Sequence, residues 1–293
     1  MRHYPVLLEE AIEYLSIDPE GIYVDCTFGE GGHSEAILKQ LTTGRLIALD
    51  RDLTAIEAGR ERLAEYRDKL TLIHSNYSNL AEFVTTPVQG ILADVGLSRR
   101  QLEDAERGFS FMREGPLSMA MDQGQRLTAD VIVNHYGERQ LADLIYQFGE
   151  ERRSRGIARA IVRGRPIRTT THLAEIVEKA VPRTARRRIH AATKTFQGIR
   201  IAVNEELDEL AKLLEAAPLL LSPGGRMVAI SFHSLEDRLV KQSFRSWKQQ
   251  GVFDVLTRRI VRPSLDEIRN NPASRSAKLR ASKRTALEWP HQN

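Results

Sequence analysis

The chain has 293 residues, of which 41% are hydrophobic and 28% are charged, with 19 Gly and 11 Pro. This composition is that of an ordinary globular protein, and it excludes collagen-like and wholly disordered chains. A single cysteine, Cys26, excludes an intramolecular disulfide framework and cysteine-based zinc clusters. The apolar stretches are too short to span a bilayer, and the first residues lack the apolar core of a signal peptide. We therefore expect a cytoplasmic protein with neither a membrane nor a metal partner.

The net charge of +4 conceals an uneven distribution. Residues 151–200 hold 14 Lys and Arg against 3 Asp and Glu, and residues 256–285 hold 9 against 2. These two segments carry net charges of +11 and +7, and the remaining 213 residues carry −14. A charge run is usually a solvated surface, but an asymmetry of this size favours a polyphosphate partner such as a nucleic acid.

The first hundred residues alternate between predicted strands and helices. Strands are predicted at 22–28, 45–50, 70–74 and 90–97, and helices at 33–41 and 53–66. Strands that alternate with helices indicate a parallel, doubly wound α/β sheet with right-handed crossovers.

The alternation stops between about Arg99 and Thr195, where the sequence shows helical spacing only, at 140–148, 156–162 and 173–180. It resumes with one long amphipathic helix at 197–216, a turn at 222–225, a strand at 226–232 and a helix at 235–247. Closing strands are predicted at 252–258 and 277–289. The pattern predicts an all-helical domain inserted into an α/β domain.

Glycines and carboxylates follow the predicted strands at their carboxyl ends, where open parallel sheets bind ligands. Gly29, Gly31 and Gly32 follow the first strand, Asp50 ends the second strand and Asp94 lies in the fourth. A carboxylate at the end of the second strand is placed to bind the two hydroxyls of a ribose. Together these residues predict a cofactor that contains a nucleoside.

Two cofactor classes remain open on these residues. A dinucleotide needs the pattern G-x-G-x-x-G, whereas here the third glycine is missing and Glu30 adds negative charge where a pyrophosphate would lie. S-adenosylmethionine fits better, because it has no phosphate and its sulfonium cation suits the carboxylates of Asp25, Asp50 and Asp94. A nicotinamide-dependent dehydrogenase is the less favoured alternative.

Motifs along almost the whole chain resemble the MraW family of bacterial 16S rRNA cytosine-N4 methyltransferases. The segments that carry the resemblance are HYPVLLEEA at 3–11, YVDCTFGEGGHSEAIL at 23–38, IALDRD at 47–52, GILADVGLSRRQLEDAERGFSFMREGPLSMAMD at 90–122, GEERRSRGIARAIV at 149–162, TFQGIRIAVNEEL at 195–207, GGRMVAISFHSLEDRLVK at 224–241 and NPASRSAKLRASKR at 271–284. The resemblance implies a Rossmann-like S-adenosylmethionine-dependent methyltransferase fold with an inserted all-helical domain. On this basis we assign 1–102 and 196–293 to the methyltransferase domain and 103–195 to an RNA-binding insert.

The resemblance also implies which residues bind S-adenosylmethionine. They are Gly31, Gly32, His33, Asp50, Tyr77, Asp94 and Gln101. Asp50 would hold the ribose, Tyr77 would lie against the adenine, and Asp94 and Gln101 would complete the pocket beside the methyl donor. The implied substrate is a cytidine in the decoding centre of 16S rRNA, within the small ribosomal subunit.

Two residues are candidates for catalysis of methyl transfer to the N4 amine. Asp94 would bond the N4 hydrogens, and His233, with Phe232, would contact a flipped cytosine. Ser234 is predicted to cap the helix that follows them. Methylation at C5 would need a cysteine thiolate, and Cys26 lies in a strand that we expect to be buried. A ribosome-assembly factor that binds RNA without catalysis is the remaining alternative.

The arginines of the two basic segments are predicted to bind rRNA phosphates. In the insert they are Arg152, Arg153, Arg155, Arg159, Arg163, Arg165 and Arg186–Arg188, and a second group lies in the region Arg258–Arg284.

Overall fold

A computed structural model describes residues 5–182 and 189–287. The chain divides into two compact units, one made of the residues through Gly96 together with those from Leu207 onward, the other of Leu97–Glu206. The first unit is an α/β sheet domain and the second is helical. The triplet Arg186–Arg188, predicted to bind RNA, lies outside the described residues.

The sheet unit contains a seven-stranded sheet of order β3-β2-β1-β4-β5-β7-β6. Its strands are β1 Ile22–Asp25, β2 Arg45–Asp50, β3 Leu70–His74, β4 Val88–Asp94, β5 Leu221–Ser231, β6 Phe253–Val255 and β7 Lys278–Arg284. Strands β1 to β5 are parallel, and β7 pairs antiparallel with both β5 and β6. Chain order reverses between β1 and β4, so the switch point, where open sheets bind ligands, lies at the carboxyl ends of these two strands.

Helices cover both faces of the sheet. The helices of this unit are α1 Leu8–Leu15, α2 Gly32–Leu38, α3 Leu53–Arg62, α4 Leu80–Phe83, α11 Glu206–Leu220, which begins at the last residue of the other unit, α12 Ser234–Gln249 and α13 Leu265–Asn270. The central strand β4 shows why two covering layers are needed. Ile91 and Ala93 pack into one core, whereas Leu92 packs into the core on the opposite face. Such continuous burial is typical of parallel sheets covered on both sides.

The helical unit is built around a core of its own. Its helices are α5 Arg99–Glu103, α6 Ala129–His135, α7 Glu138–Gln147, α8 Ser154–Arg163, α9 Thr170–Ala180 and α10 Thr193–Asn204. Fully buried Ile and Leu side chains at helical spacing, such as Leu141 and Ile145 of α7 and Ile157 and Ile161 of α8, form this core. Within the described part of Leu97–Glu206 no strand is present, as the absence of a strand pattern predicts.

The single helix predicted at 197–216 is wrong. Two helices, α10 and α11, replace it, and Glu205 between them adopts a left-handed backbone conformation with φ 50°. The apolar spacing runs through both helices, but Val203 packs into the core of the helical unit and Leu210 into a core of the sheet unit. The periodicity of apolar residues continues through the break, and no proline or glycine lies there, so the sequence pattern predicted one helix where there are two.

The predicted turn at 222–225 is a bulge in β5. Val88 of β4 pairs with Leu221 and Gly90 pairs with Arg226, so four residues of β5 are accommodated opposite Gln89. Gly224 in this bulge has φ 84°, and the Ser222 hydroxyl donates to the Val88 carbonyl at 3.1 Å. Among the described residues, no helix combines the length and the apolar character needed to cross a membrane.

Candidate active site at the sheet switch point

A tight turn joins β1 to α2 at the switch point. Gly29 and Gly31 have φ of 54° and 75°, a region that glycine enters without steric cost. A Cβ on Gly31 would lie 2.6 Å from the Phe28 ring, and one on Gly32 would lie 2.2 Å from Pro5 Cγ. Phe28 and Pro5 therefore pack so closely against this turn that Gly31 and Gly32 admit no side chain.

Asp50, at the carboxyl end of β2, has both carboxylate oxygens on backbone amides. Oδ2 accepts from Gly29 N–H at 2.7 Å, and Oδ1 accepts from Asp52 N–H at 2.8 Å. Burial raises the pKa of Asp50 to about 6, against the lowering effect of these two hydrogen bonds. Each oxygen keeps a second lone pair, so the carboxylate can also accept from the hydroxyls of a ribose.

Asp94, at the carboxyl end of β4, has a buried carboxylate oxygen with an unmet hydrogen-bonding capacity. Its backbone N–H donates to Thr27 Oγ1 at 2.7 Å, but Oδ1 has no hydrogen-bond partner among the described residues. Burial raises the pKa of Asp94 well above its ordinary value, and the charges of Asp25, Glu236 and Glu267 raise it further. An orphaned acceptor of this kind indicates a place for a donor or a cation from a ligand.

His33 is buried beside Asp94. Its Nε2 donates to the Val6 carbonyl at 3.1 Å, and its Nδ1 lies 3.8 Å from Asp94 Oδ2. Asp25, at the end of β1, is fully buried and accepts from Ser34 Oγ at 2.7 Å and from Thr27 N–H at 3.0 Å. Burial raises the pKa of Asp25 as well. The switch point thus holds three carboxyl groups in a poorly solvated region.

Tyr77 and Gln101 are the two remaining residues predicted to bind the cofactor. Tyr77 begins a short 3-10 helix just after β3 and packs, half-buried, against an apolar core of the sheet unit. Gln101 belongs to the helical unit, where it forms a capping box for α5. Its Oε1 accepts from Ser98 N–H at 3.1 Å, and its own N–H donates to Ser98 Oγ at 3.2 Å. The local contacts of Gln101 are those of a helix cap.

The predicted cap of α12 is one residue out of place. His233, not Ser234, is the N-cap, and its Nδ1 accepts from Glu236 N–H at 3.4 Å. Glu236 is buried, and its Oε2 accepts from the N–H groups of Phe232 and His233 at 2.8 and 3.1 Å. His233 Nε2 lies 3.0 Å from Glu236 Oε1. Both ring nitrogens therefore face Glu236, because the helix begins directly after the histidine.

Glu236 and Thr27 are structural contributors that the sequence reasoning missed. The signal for Glu236 was available, since an acidic residue three positions after a helix N-cap is typical of a capping box. Nothing in the sequence indicates that Thr27 supports the backbone of Asp94, because the hydrogen bond joins residues 67 positions apart.

One of the arginines predicted to bind RNA phosphates, Arg165, makes hydrogen bonds within the protein instead. Arg165 donates from Nε to the Val133 carbonyl at 2.8 Å and from its second nitrogen to the Tyr136 carbonyl, and it is half-buried. Its guanidinium holds the end of α6 in place. Arg152, Arg153, Arg155, Arg159 and Arg163 are exposed.

The residues at the switch point fit S-adenosylmethionine. Asp94 Oδ1, which has no hydrogen-bond partner among the described residues, suits a cationic ligand, and the carboxylate of Asp50 suits a ribose. A solved structure from Clostridium thermocellum, described as a candidate rRNA-methylase, matches the fold with a TM-score of 0.50, covering 97% of this chain and 100% of that chain at 13% identity. The fold is that of the Rossmann-like S-adenosylmethionine-dependent methyltransferases, which confirms the predicted fold class.

Sequence comparison identifies the family within this class. The model of the MraW methylase family matches residues 1–285, and the chain belongs to this family. It is 54% identical to Ribosomal RNA small subunit methyltransferase H of Solibacter usitatus, over 95% of this chain and 98% of that protein. It is 52% identical to the protein of the same name from Koribacter versatilis, over 96% of this chain and 94% of that protein. The resemblance inferred from the motifs is confirmed.

Proposed function

We propose that this protein transfers a methyl group from S-adenosylmethionine to the exocyclic N4 amine of a cytidine in the decoding centre of 16S rRNA. The observation that carries the proposal is the nearly full-length match to relatives named Ribosomal RNA small subunit methyltransferase H. The acidic switch point supports the cofactor in this proposal, because its carboxyl groups suit a cationic nucleoside cofactor better than a phosphate-bearing one.

In this proposal Gly31, Gly32, His33, Asp50, Tyr77 and Asp94 of the sheet unit would hold the cofactor. When bound, S-adenosylmethionine supplies a methyl group made electrophilic by its sulfonium. Asp50 would accept from the ribose hydroxyls, Tyr77 would contact the adenine, and Asp94 would face the cationic end of the cofactor.

Asp94 is also the group that we propose to act on the substrate amine. The N4 lone pair of cytosine is delocalised into the ring, so N4 is a weak nucleophile until its geometry becomes pyramidal. A buried carboxylate oxygen that accepts from N4–H favours this pyramidal form, and Asp94 Oδ1 has no hydrogen-bond partner among the described residues to compete for it. Attack by N4 leaves one proton to be removed, and the raised pKa of Asp94 suits it to accept that proton.

His233 has the smaller catalytic role in this proposal. Its ring nitrogens already face Glu236, so we assign it contact with the base and not proton transfer. The RNA itself is bound by the exposed arginines of the helical unit and by the basic region 256–285, and the substrate is the small ribosomal subunit in the cytoplasm.

Mass spectrometry of rRNA nucleosides tests the proposal directly. A strain without this protein should lack N4-methylcytidine in 16S rRNA, and the unchanged gene should restore it. Complementation with Asp94→Asn should give a folded protein and no modification. Unchanged N4-methylcytidine in the deletion strain would refute the proposed reaction. Full modification by Asp94→Asn would refute the role of Asp94 alone.

A further inference from the structure

The segment Pro5–Leu7 lies against the glycine turn of the candidate site. Pro5 fills the space where a Cβ on Gly32 would be, with Cγ 2.2 Å from that position. The next residue, Val6, accepts the hydrogen bond from His33 Nε2 at 3.1 Å. Both contacts fall on Gly32 and His33, which we propose as cofactor-binding residues. The position of this segment therefore sets the orientation of the His33 ring.

Leu7 is held in an unfavourable backbone conformation. It has φ 52° and ψ 38°, in the left-handed region that residues with a Cβ rarely adopt, and its side chain is fully buried. A bulky residue keeps such a conformation only where its surroundings hold it there. Leu7 packs in the core, its carbonyl accepts from Ala11 N–H at 2.8 Å, and its backbone N–H donates to Glu267 Oε1 at 2.9 Å. The bond to Glu267 is the contact that comes from a distant side chain.

Glu267 reaches Leu7 from a distant part of the sequence. It lies on α13, inside the basic region 256–285, and is 260 residues from its partner. Burial raises the pKa of Glu267, and the nearby charges of Glu10 and Glu9 raise it further. The hydrogen bond from Leu7 N–H lowers the pKa of Glu267 against these effects, so this bond favours the ionised carboxylate at this position.

We propose that Glu267 is a positioning residue for cofactor binding, which fixes Pro5–Leu7 against Gly32 and His33 through its hydrogen bond to Leu7. The inference rests on the proposed function, because it takes these two residues as part of the S-adenosylmethionine site. It assigns to the late basic region a second task beside RNA binding. The region supplies the acidic group that positions Pro5–Leu7 beside Gly32 and His33.

Three variants test this role. Glu267→Ala removes the acceptor, and Glu267→Gln keeps an oxygen that can accept from Leu7 N–H. Asp266→Ala is the matched control, since Asp266 is the adjacent acidic residue on α13 and is exposed, with its carboxylate 3.1 Å from Arg269. Circular dichroism and thermal denaturation establish that each variant is folded.

Cofactor affinity is measured first, by titration calorimetry with S-adenosylmethionine and no RNA. We expect Glu267→Ala to bind about tenfold more weakly, which corresponds to about 1.4 kcal/mol. Glu267→Gln and Asp266→Ala should stay within about twofold of the unchanged protein. Hydrogen exchange without cofactor should show faster exchange at the Leu7 amide in Glu267→Ala only. Equal affinity and equal exchange in Glu267→Ala and Asp266→Ala would overturn the inference.

Steady-state kinetics separates this role from general destabilisation. Glu267→Ala should raise KM for S-adenosylmethionine and leave kcat nearly unchanged, whereas partial unfolding would lower kcat at every cofactor concentration. A fall in kcat without a rise in KM would therefore contradict a positioning role. If the unchanged protein binds S-adenosylmethionine but modifies no rRNA, the proposed substrate fails while the affinity test of Glu267 still stands.

Discussion

At the scale of single residues, the site is governed by carboxyl groups that are costly to ionise. Asp25, Asp50 and Asp94 end neighbouring strands, and burial raises the pKa of each. A ligand that brings hydroxyl donors or a positive charge relieves this cost. The same carboxylates would repel a phosphate. The ends of these three strands thus place together carboxyl groups that suit a cationic nucleoside cofactor.

Asp50 should give cofactor binding a dependence on pH. Its folded pKa of about 6 exceeds its ordinary value of 3.8, so the ionised form that accepts from ribose hydroxyls is lost as pH falls through about 6. We expect affinity for S-adenosylmethionine to weaken by up to about tenfold per pH unit below that point. Calorimetric titrations between pH 5 and pH 8 measure this change.

Asp50 should affect the stability of the cofactor-free protein in the opposite sense: stability falls as pH rises, whereas cofactor affinity increases. Because the folded pKa is raised, the contribution of Asp50 to stability is present below about pH 4 and is lost as pH rises through about 6. Asp50→Asn should remove this dependence and lower cofactor affinity at pH 7.5. An Asp50→Asn protein with the same pH profile of binding as the unchanged protein would contradict the assignment.

Cys26 should be dispensable for the reaction. Its side chain is buried, and desolvation raises the pKa of the thiol well above its ordinary value, so no thiolate is present to attack a cytosine ring. We expect Cys26→Ala to retain methyl transfer within about twofold, at a stability cost of about 1 kcal/mol. Rates of methyl incorporation into small ribosomal subunits measure this. Loss of turnover in a folded Cys26→Ala protein would instead indicate covalent catalysis.

At the scale of helices and strands, sequence patterns predicted those element bounds that depend on neighbouring residues. The bounds of β2 and β3 match their predictions because β-branched and leucine-rich runs there end at polar residues. The end of β1 at Asp25 was predicted three residues too late, since Cys26 and Phe28 are buried without continuing the strand. The cap of α12 is a local capping box whose first residue was predicted one position too late. The hydrogen bond from Asp94 N–H to Thr27 joins residues far apart in the chain, which no local pattern contains.

The break between α10 and α11 provides a test at this scale. Glu205 holds φ 50° there, a conformation that costs a residue with a Cβ about 1 kcal/mol and that glycine adopts freely. We expect Glu205→Gly to stabilise the protein by about 0.5–1 kcal/mol, measured by denaturant unfolding. Glu205→Ala, which keeps a Cβ, is the control and should give no stabilisation. Destabilisation by Glu205→Gly would show that the side chain, and not the backbone, determines the break.

At the scale of the whole molecule, basic and acidic residues lie in different parts of the sequence, which correspond to the proposed RNA binding and cofactor binding. The basic segments 151–200 and 256–285 carry +11 and +7, and the rest carries −14. The acidic remainder includes the carboxylates of the switch point. The small net charge of the whole chain, +4, therefore reflects neither the basic RNA-binding surface nor the acidic cofactor site that we propose.

Charge reversal at Arg186–Arg188 should separate RNA binding from cofactor binding. Replacing the three arginines with glutamate should weaken binding to rRNA and lower the slope of log affinity against log salt by at least about 2, because about three phosphate contacts are lost. Affinity for S-adenosylmethionine should not change. Filter binding at several salt concentrations, beside calorimetry, measures both quantities. An unaltered salt slope would exclude this triplet from the RNA interface.

The pairing of β4 with β5 has a consequence for biosynthesis. Val88 of β4 pairs with Leu221 of β5 in the middle of the sheet. During synthesis, β4 therefore lacks this partner strand until more than a hundred further residues have been translated. At about 5–20 residues per second this interval is on the order of 10 s. During it, β4 is an apolar strand with an unpaired edge, whereas the residues of the helical unit Leu97–Glu206 are contiguous and are all translated before β5. Nascent chains of this protein should therefore need chaperone protection until β5 emerges.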